Sequence, residues 1–425
     1  MSGRAPAVVI GLDCITGLQT ARILAARQVP VVALAGNLRH FACRTNVCER
    51  ILASDLASER LIERLERLGP ELASRAGGAD GKAVLYPCTD ASVLLLSRFR
   101  DRLHPWYSVM LAEPDVVELL MDKTCFYNHA LRSNLPIPST FLLGSRRDAE
   151  GAVRDLPFPA VIKPPVKTAA WEAQTSVKAF KVADADELLA VYDRVAPWAE
   201  TLIAQEWIAG GDDSLYSCNC YFDRESRPLV TFVARKLRQW PPYTGTSCLG
   251  EECRNDEVLA QTVRLFGDVA YRGLGYVEMK WDPRTRRHVV IEPNVGRPTG
   301  RSAIAEGGGV ELLYTMYCDA AGLPLPEQRE QRYLGTKWLD VRRDLQSSFY
   351  YARRGELSPL DWARSLRGPK THAVFSRSDP RPFMAELLQA GDKATRWTRR
   401  RRSDERGQRV SAEEDVPPPT PVRAP

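Results

Sequence analysis

The chain has 425 residues, of which 44% are hydrophobic and 26% charged, and its formal net charge is +6. That length suits roughly two to three domains, and no apolar run nears the roughly 20 residues that a membrane span needs. From Lys393 onward there are nine basic and five acidic residues, so everything before carries only about +2 and offers no basic face for nucleic acid.

Ten cysteines without a CxxC pair, and only five histidines, leave no zinc pattern and fit reduced thiols in the cytoplasm. Arg4 precedes the run Ala5-Pro-Ala-Val-Val-Ile10, which breaks at Gly11 and Asp13, too early for a secretory signal and right for a first strand. Residues 7–34 read as strand, glycine turn, helix opening at Gly17-Leu18, and strand Pro30–Leu34. This is a βαβ unit and implies a doubly wound, Rossmann-like α/β domain. The spacing Gly11-Leu-Asp-Cys-Ile-Thr-Gly17 is not the G-x-G-x-x-G of dinucleotide sites. Ser54 or Asp55 caps a helix to about Leu68, with Leu61, Ile62, Leu65 and Leu68 as its buried stripe. A glycine-rich stretch at 77–81 leads into the strand Ala83–Tyr86. Thr89 and Asp90 follow at that strand's carboxyl end, where such sheets hold ligands. They either cap the next helix or touch substrate.

A second region begins near Glu113-Pro114. Asp115 caps a helix carrying Met121-Asp-Lys-Thr124, which Leu135-Pro-Ile-Pro138 stops. The apolar strand Phe158–Ile162 ends in Lys163 before Pro164, and a lysine projecting at a strand end into a cleft suits a phosphate clamp. Strands at 201–208, 214–222 and 229–234 follow; 235–255 is loop-rich, and Asp256 starts a helix through Ala270. Gly275–Asp282 and His288–Asn294 form a hairpin around the polar turn Pro283–Arg287. That turn pairs Asp282 with His288 and Glu278 with Glu292, and side-chain alternation sets Glu292 with Val290 and Asn294. Facing carboxylates repel unless a cation sits between them, so the face either points at water or binds a cation. Two carboxylates and an amide oxygen are hard ligands suited to Mg²⁺. Arg297, Gly300 and Arg301 follow on an irregular loop. Residues 334–382 are mixed and aromatic, and the basic, proline-rich tail from 393 reads as disordered.

Together these residues resemble the ATP-grasp superfamily of the carbamoyl-phosphate-synthase type, and within it carboxylate–amine ligases of the D-aspartate-ligase-like kind. The resemblance spans about 7–325. It rests on Asp122-Lys123 with Leu135-Pro-Ile-Pro-Ser-Thr140, on Val161-Ile-Lys163-Pro, on Gln205-Glu-Trp-Ile208, and on Glu278, Glu292 and Asn294. It implies an α/β and α+β multidomain chain. A Rossmann-like pre-ATP-grasp domain at 1–114 precedes a two-lobed ATP-grasp domain at 115–325. The smaller, nucleotide-clamping lobe is about 140–206 and the metal-binding lobe about 207–325; an α-rich extension at 326–392 and the tail 393–425 follow.

The resemblance further implies that Lys123 and Lys163 hold ATP phosphates and that Gln205, Glu206, Trp207 and Ile208 form the adenine hinge. Asp212 or Asp213 binds ribose. Glu278, Glu292 and Asn294 hold Mg²⁺, with Mn²⁺ as a substitute. The family's mobile loop is usually glycine-rich, and here 164–178 has no glycine, so Lys167, Ser176 or Lys178 shares the phosphate work. The family's arginine two residues past the metal-binding Asn is replaced by Gly296, leaving Arg297 or Arg301 to stabilise the acyl phosphate. The expected activity is an ADP-forming ligase joining a small-molecule carboxylate to an amine, with Trp240, Tyr243 and Thr244 near the acceptor. A catalytically silent ATP-binding regulator on the same fold is the alternative. No membrane or nucleic-acid partner is expected, and a homodimer is the default assembly.

Overall fold

The computed structural model describes residues 4–76, 81–166, 168–175, 177–243 and 245–391. The glycine-rich stretch at 77–80, Lys167, Ser176, Thr244 and the tail from 393 lie outside the described residues. The first sheet is parallel and holds β1 (Ala7–Ile10), β2 (Val31–Ala35), β3 (Arg50–Ala53), β4 (Ala83–Pro87) and β5 (Tyr107–Ser108) in the order β3-β2-β1-β4-β5. All four residues of β1 are fully buried, because its two faces pack into two separate cores. The chain turns back across the sheet between β1 and β4, so the crevice at their carboxyl ends is bounded by Gly11–Cys14 and Cys88–Asp90.

The helix expected from Gly17 starts at Ile15, with the Cys14 thiol as its cap, accepting from Gly17 N at 3.4 Å. A Cβ on Gly17 would sit 2.1 Å from the Gly11 carbonyl oxygen, so only glycine allows this approach. Asp55 does not cap the next helix; it closes a turn through Ala57 N (3.0 Å) and Ser58 Oγ (2.6 Å), and the helix is Arg60–Arg75. Its buried stripe is Leu61, Ile62, Leu65 and Leu68, as the periodicity requires.

The helix expected from Asp115 is instead two, Pro114–Met121 and Lys123–Arg132, with Glu113 at the first cap. Asp122 breaks them with extended backbone (φ −78°, ψ 118°), and its side chain accepts from Cys125 N at 2.8 Å. The break makes Lys123 the first residue of a helix. A four-stranded sheet follows, β6 (Thr140–Leu143), β7 (Ala160–Lys163), β8 (Phe180–Val182) and β9 (Leu202–Glu206), ordered β6-β9-β7-β8. Between β7 and β8 stands the short helix Ala169–Gln174, pinned by the fully buried Trp171.

The largest sheet contains β10 (Leu215–Phe222), β11 (Pro228–Trp240), β12 (Thr246–Glu252), β13 (Gly273–Asp282), β14 (Arg287–Val295), β15 (Lys337–Leu339) and β16 (Lys370–His372). Their order is β14-β13-β10-β11-β12-β15-β16. The stretch 235–255, expected as loop, is mostly strand. Bulges around Lys236 and Arg238 break the alternation by which a strand is recognised. Both charges are buried there because each finds a partner, Glu278 at 2.6 Å and Asp344 at 2.7 Å. The C-terminal part, expected as an α-rich extension, has the helices Val341–Arg353 and Pro359–Ser365 but also gives β15 and β16 to the edge of this sheet.

Candidate active site

The hairpin sets Glu278 opposite Glu292, but by a different register from the one expected. Asp282 pairs with Arg287 and Trp281 with His288, so the turn is one residue shorter, with Arg286 at φ +54°. A bulge between Glu278 and Met279 then restores the offset. It also puts Val290 in the core with Val277 and Met279, so Val290 does not share the face of Glu292.

Each candidate metal ligand meets a different cation. Lys236 Nζ lies 2.6 Å from Glu278 Oε1 in a buried pair, and Lys123 Nζ lies 3.9 Å from Glu292 Oε2 near the surface. Arg297 Nη2 donates to Asn294 Oδ1 at 2.9 Å. Burial raises the Glu278 pKa, but Lys236 and then Arg301 outweigh it, holding the carboxyl below its usual range.

Lys163 Nζ donates to Gln205 Oε1 at 2.9 Å, and Gln205 Nε2 donates to Tyr127 Oη and Thr140 Oγ1, both at 2.9 Å. This network ties β7, β9, β6 and the helix carrying Lys123. Burial pushes the Lys163 pKa down, opposed by the charge of Glu292. Such a lysine gains most from an anion brought to it. Lys178 is exposed ahead of β8.

In the stretch expected as the hinge, Glu206 N donates to Ser139 O and Trp207 N to Pro159 O, both at 2.9 Å. Glu206 Oε1 accepts from Arg284 Nη2 at 2.8 Å, linking hinge and hairpin turn. The Trp207 ring lies between Lys181 Nζ (4.7 Å) and Lys280 Nζ (5.3 Å), and Ile208 is buried. The two aspartates separate cleanly. Asp212 is buried with three donors on its carboxylate, from Gln239 N (3.0 Å), Gln239 Nε2 (2.7 Å) and Tyr351 Oη (2.7 Å), whereas Asp213 is exposed.

The two arginines separate as well. Arg297 uses all three guanidinium nitrogens, Nε to Asp90, Nη1 to Tyr276 Oη (3.3 Å) and Nη2 to Asn294. Arg301 is 6% exposed, gives Nη2 to Ser217 Oγ at 3.1 Å, and has no partner for the buried Nη1. Its charge is felt at Glu278. Thr89 caps the helix Asp90–Arg98 through a capping box with Ser92, while Asp90 stays exposed and pairs with Arg297.

No protein-family model matches the chain. D-aspartate ligase of Enterococcus faecium (strain Aus0004) is 25% identical over 251 residues, covering 57% of this chain and 58% of that protein, so the chain spans under two thirds of that relative. N5-carboxyaminoimidazole synthetase from Staphylococcus aureus, complexed with ADP, is similar at TM-score 0.59 and 14% identity over 78% of this chain and 81% of that one. The biotin carboxylase domain of Hydrogenobacter thermophilus 2-oxoglutarate carboxylase, with MgADP and bicarbonate, gives TM-score 0.57 and 13% identity over 77% and 72%. The chain has the ATP-grasp fold.

On this ATP-grasp frame, the residues that sequence reasoning missed are Lys236, Ser217, Tyr127, Arg284 and Tyr351. Lys236 lies in the stretch read as loop, and Tyr351 comes from beyond the region of resemblance. Glu278, Glu292 and Asn294 share a face with three oxygen donors and suit a hard divalent cation. Among the described residues, no group of three or more His, Cys, Asp or Glu side chains is arranged to hold a metal, and this set has two carboxylates and one amide. All ten cysteines are unpaired, and no described helix is long and apolar enough to cross a membrane.

Proposed function

We propose that the chain is an ATP-dependent carboxylate–amine ligase of the cytoplasm that activates a carboxylate as an acyl phosphate and passes it to an amine, releasing ADP and phosphate. One observation carries this reading. Lys123, Lys163, Lys236 and Arg301 all converge on the Glu278–Glu292 pair, with Asn294 beside it.

A carboxylate resists attack by an amine because the amine would have to expel oxide. Moving the γ-phosphoryl group of ATP onto it supplies a good leaving group, and that transfer is mainly positioning and charge neutralisation. Lys123 and Lys163 hold phosphate oxygens, and Asp213 takes the ribose, since the Asp212 carboxylate is spent on Gln239 and Tyr351. Glu278, Glu292 and Asn294 would hold Mg²⁺ or Mn²⁺, which would supply neutralisation of phosphate charge. Arg301, with Nη1 unpartnered, is the cation for the acyl phosphate and for the oxyanion that forms when the amine attacks. Arg297 touches neither; it orients Asn294. Lys236 keeps Glu278 ionised.

The relative in Enterococcus is named for D-aspartate, which makes amino acids the first carboxylates to try. The test is a screen of the purified chain with Mg-ATP, crossing amino acids and other carboxylic acids with amines, reading ADP and phosphate together. Release of both that needs an acid and an amine, and disappears in Lys163→Ala, is the expected result. Turnover that survives Lys163→Ala on the right pair overturns the assignment.

A further inference from the structure

The Asp212 carboxylate is held by three donors, and one of them comes from the far end of the chain. Tyr351 stands near the end of the helix Val341–Arg353, outside the region of ATP-grasp resemblance. That helix is fixed to β11. Asp344 accepts from Arg238 Nε (2.7 Å), Arg238 Nη2 (3.1 Å) and Trp362 Nε1 (2.9 Å), and the Arg238 and Asp344 side chains are almost fully buried. Ser347 Oγ donates to Gln239 O at 3.0 Å, steadying the residue that supplies Asp212 with its other two hydrogen bonds. The Tyr351 ring lies edge-on to Tyr243 at 5.9 Å. Its hydroxyl is therefore delivered to Asp212 by an anchored helix, at 2.7 Å.

We propose that Tyr351 is a positioning residue for the nucleotide, fixing Asp212 and with it the turn Asp212–Ser214 that presents Asp213 to the ribose. This rests on the nucleotide reading above. An exposed aspartate on a short turn has only its backbone to hold it in place, and the buried side chain next to it is what anchors that backbone. A carboxylate that loses one of its charge-assisted donors has freedom to turn, and a contact displaced even slightly loses affinity for the bound form while the reacting end is untouched.

The experiment uses the full chain, with ADP titrated by calorimetry and with steady-state kinetics on the pair found in the screen. Tyr351→Phe keeps the ring and is expected to weaken ADP three- to tenfold and raise the KM for ATP alike, with kcat and the KM for the carboxylate unchanged. Asp212→Asn, which keeps the shape and replaces an acceptor by a donor, is expected to do the same. Asp213→Asn also weakens ADP, and the Tyr351→Phe/Asp213→Asn double variant is no weaker than the worse single, since both act through one contact. ADP affinity unchanged in Tyr351→Phe, additive losses in the double variant, or a matching fall in kcat each overturn the positioning role alone. A wild-type chain that does not bind ADP overturns the nucleotide reading itself, and this inference with it.

Discussion

Arg297 and Arg301 lie four residues apart on one loop, and lysine at each should fail differently. Lysine keeps the charge and removes the planar fork, so the comparison isolates hydrogen bonding. Arg301→Lys loses the donor that the proposed mechanism assigns to the acyl phosphate and oxyanion; one such donor is worth about 10²- to 10³-fold in kcat. Its effect on ADP affinity should be small, because Arg301 sits with Ser217 and Glu278, away from the hinge. Arg297→Lys loses the tie to Asn294 Oδ1 (2.9 Å) and shortens the reach to Asp90. A residue that only orients a metal ligand typically shifts metal affinity by about 10- to 100-fold. The Mg²⁺ concentration for half-maximal rate should rise by that factor, with kcat recovered at high Mg²⁺. Rates measured against Mg²⁺ at saturating ATP, with circular dichroism to confirm folding, decide the matter. A kcat loss in Arg297→Lys that excess Mg²⁺ does not repair, beside near-normal kcat in Arg301→Lys, would reverse the roles.

The two carboxylates should also differ in what they cost the fold. Glu292→Gln removes a half-exposed acid 3.9 Å from Lys123, a pairing worth at most about 1 kcal/mol, so urea unfolding should hardly move while turnover is abolished. Lys236→Met leaves the largely buried Glu278 without its 2.6 Å partner and should destabilise the chain by up to about 3 kcal/mol; an unchanged unfolding midpoint would refute that pairing. Glu306 gives a pH signature. Burial pushes its carboxyl up to about 8, and Arg27, shared with Glu311, pulls only partly the other way. A raised carboxyl is stabilising while protonated, so stability should fall as pH rises from about 4.5 through about 8. Glu306→Gln should flatten that slope and be the more stable protein at pH 9 in denaturant titrations; parallel pH profiles for the two proteins would show that Glu306 does not titrate in this way.

Much of the fold was legible because its signals are local. The continuous apolar run of β1, the helical stripe Leu61–Leu68 and the proline stop after Leu135 each follow from short-range pattern, and each is found. What escaped depends on partners distant in sequence. Asp122 looks like a helical residue until its side chain is seen to restart the helix, which is what positions Lys123. Asp212 and Asp213 are equivalent on paper; only Gln239 and Tyr351 tell them apart. The choice between Arg297 and Arg301 likewise turns on Asp90 and Ser217, each from a different part of the chain.

The pairing of Glu278 with Glu292 shows how a right conclusion can rest on an incomplete reason. Counting from a five-residue turn gives that pairing, yet the turn is one residue shorter and would by itself pair Glu278 with Ile291. The bulge supplies the missing residue, and the same device recurs on β11, where it carries Lys236 and Arg238 inward. Bulges re-aim side chains at the expense of regular pairing, and here two of them act on strands whose side chains meet, Glu278 from β13 and Lys236 from β11. A bulge that only eased strand twist would leave no buried ion pair behind it. Removing Ile291 takes out the extra residue and leaves Glu292 opposite Glu278 in a regular ladder, so the hairpin should stay paired and turnover should persist; a loss of turnover in that variant would mean that the bulge aims the Glu292 carboxylate as well as keeping count.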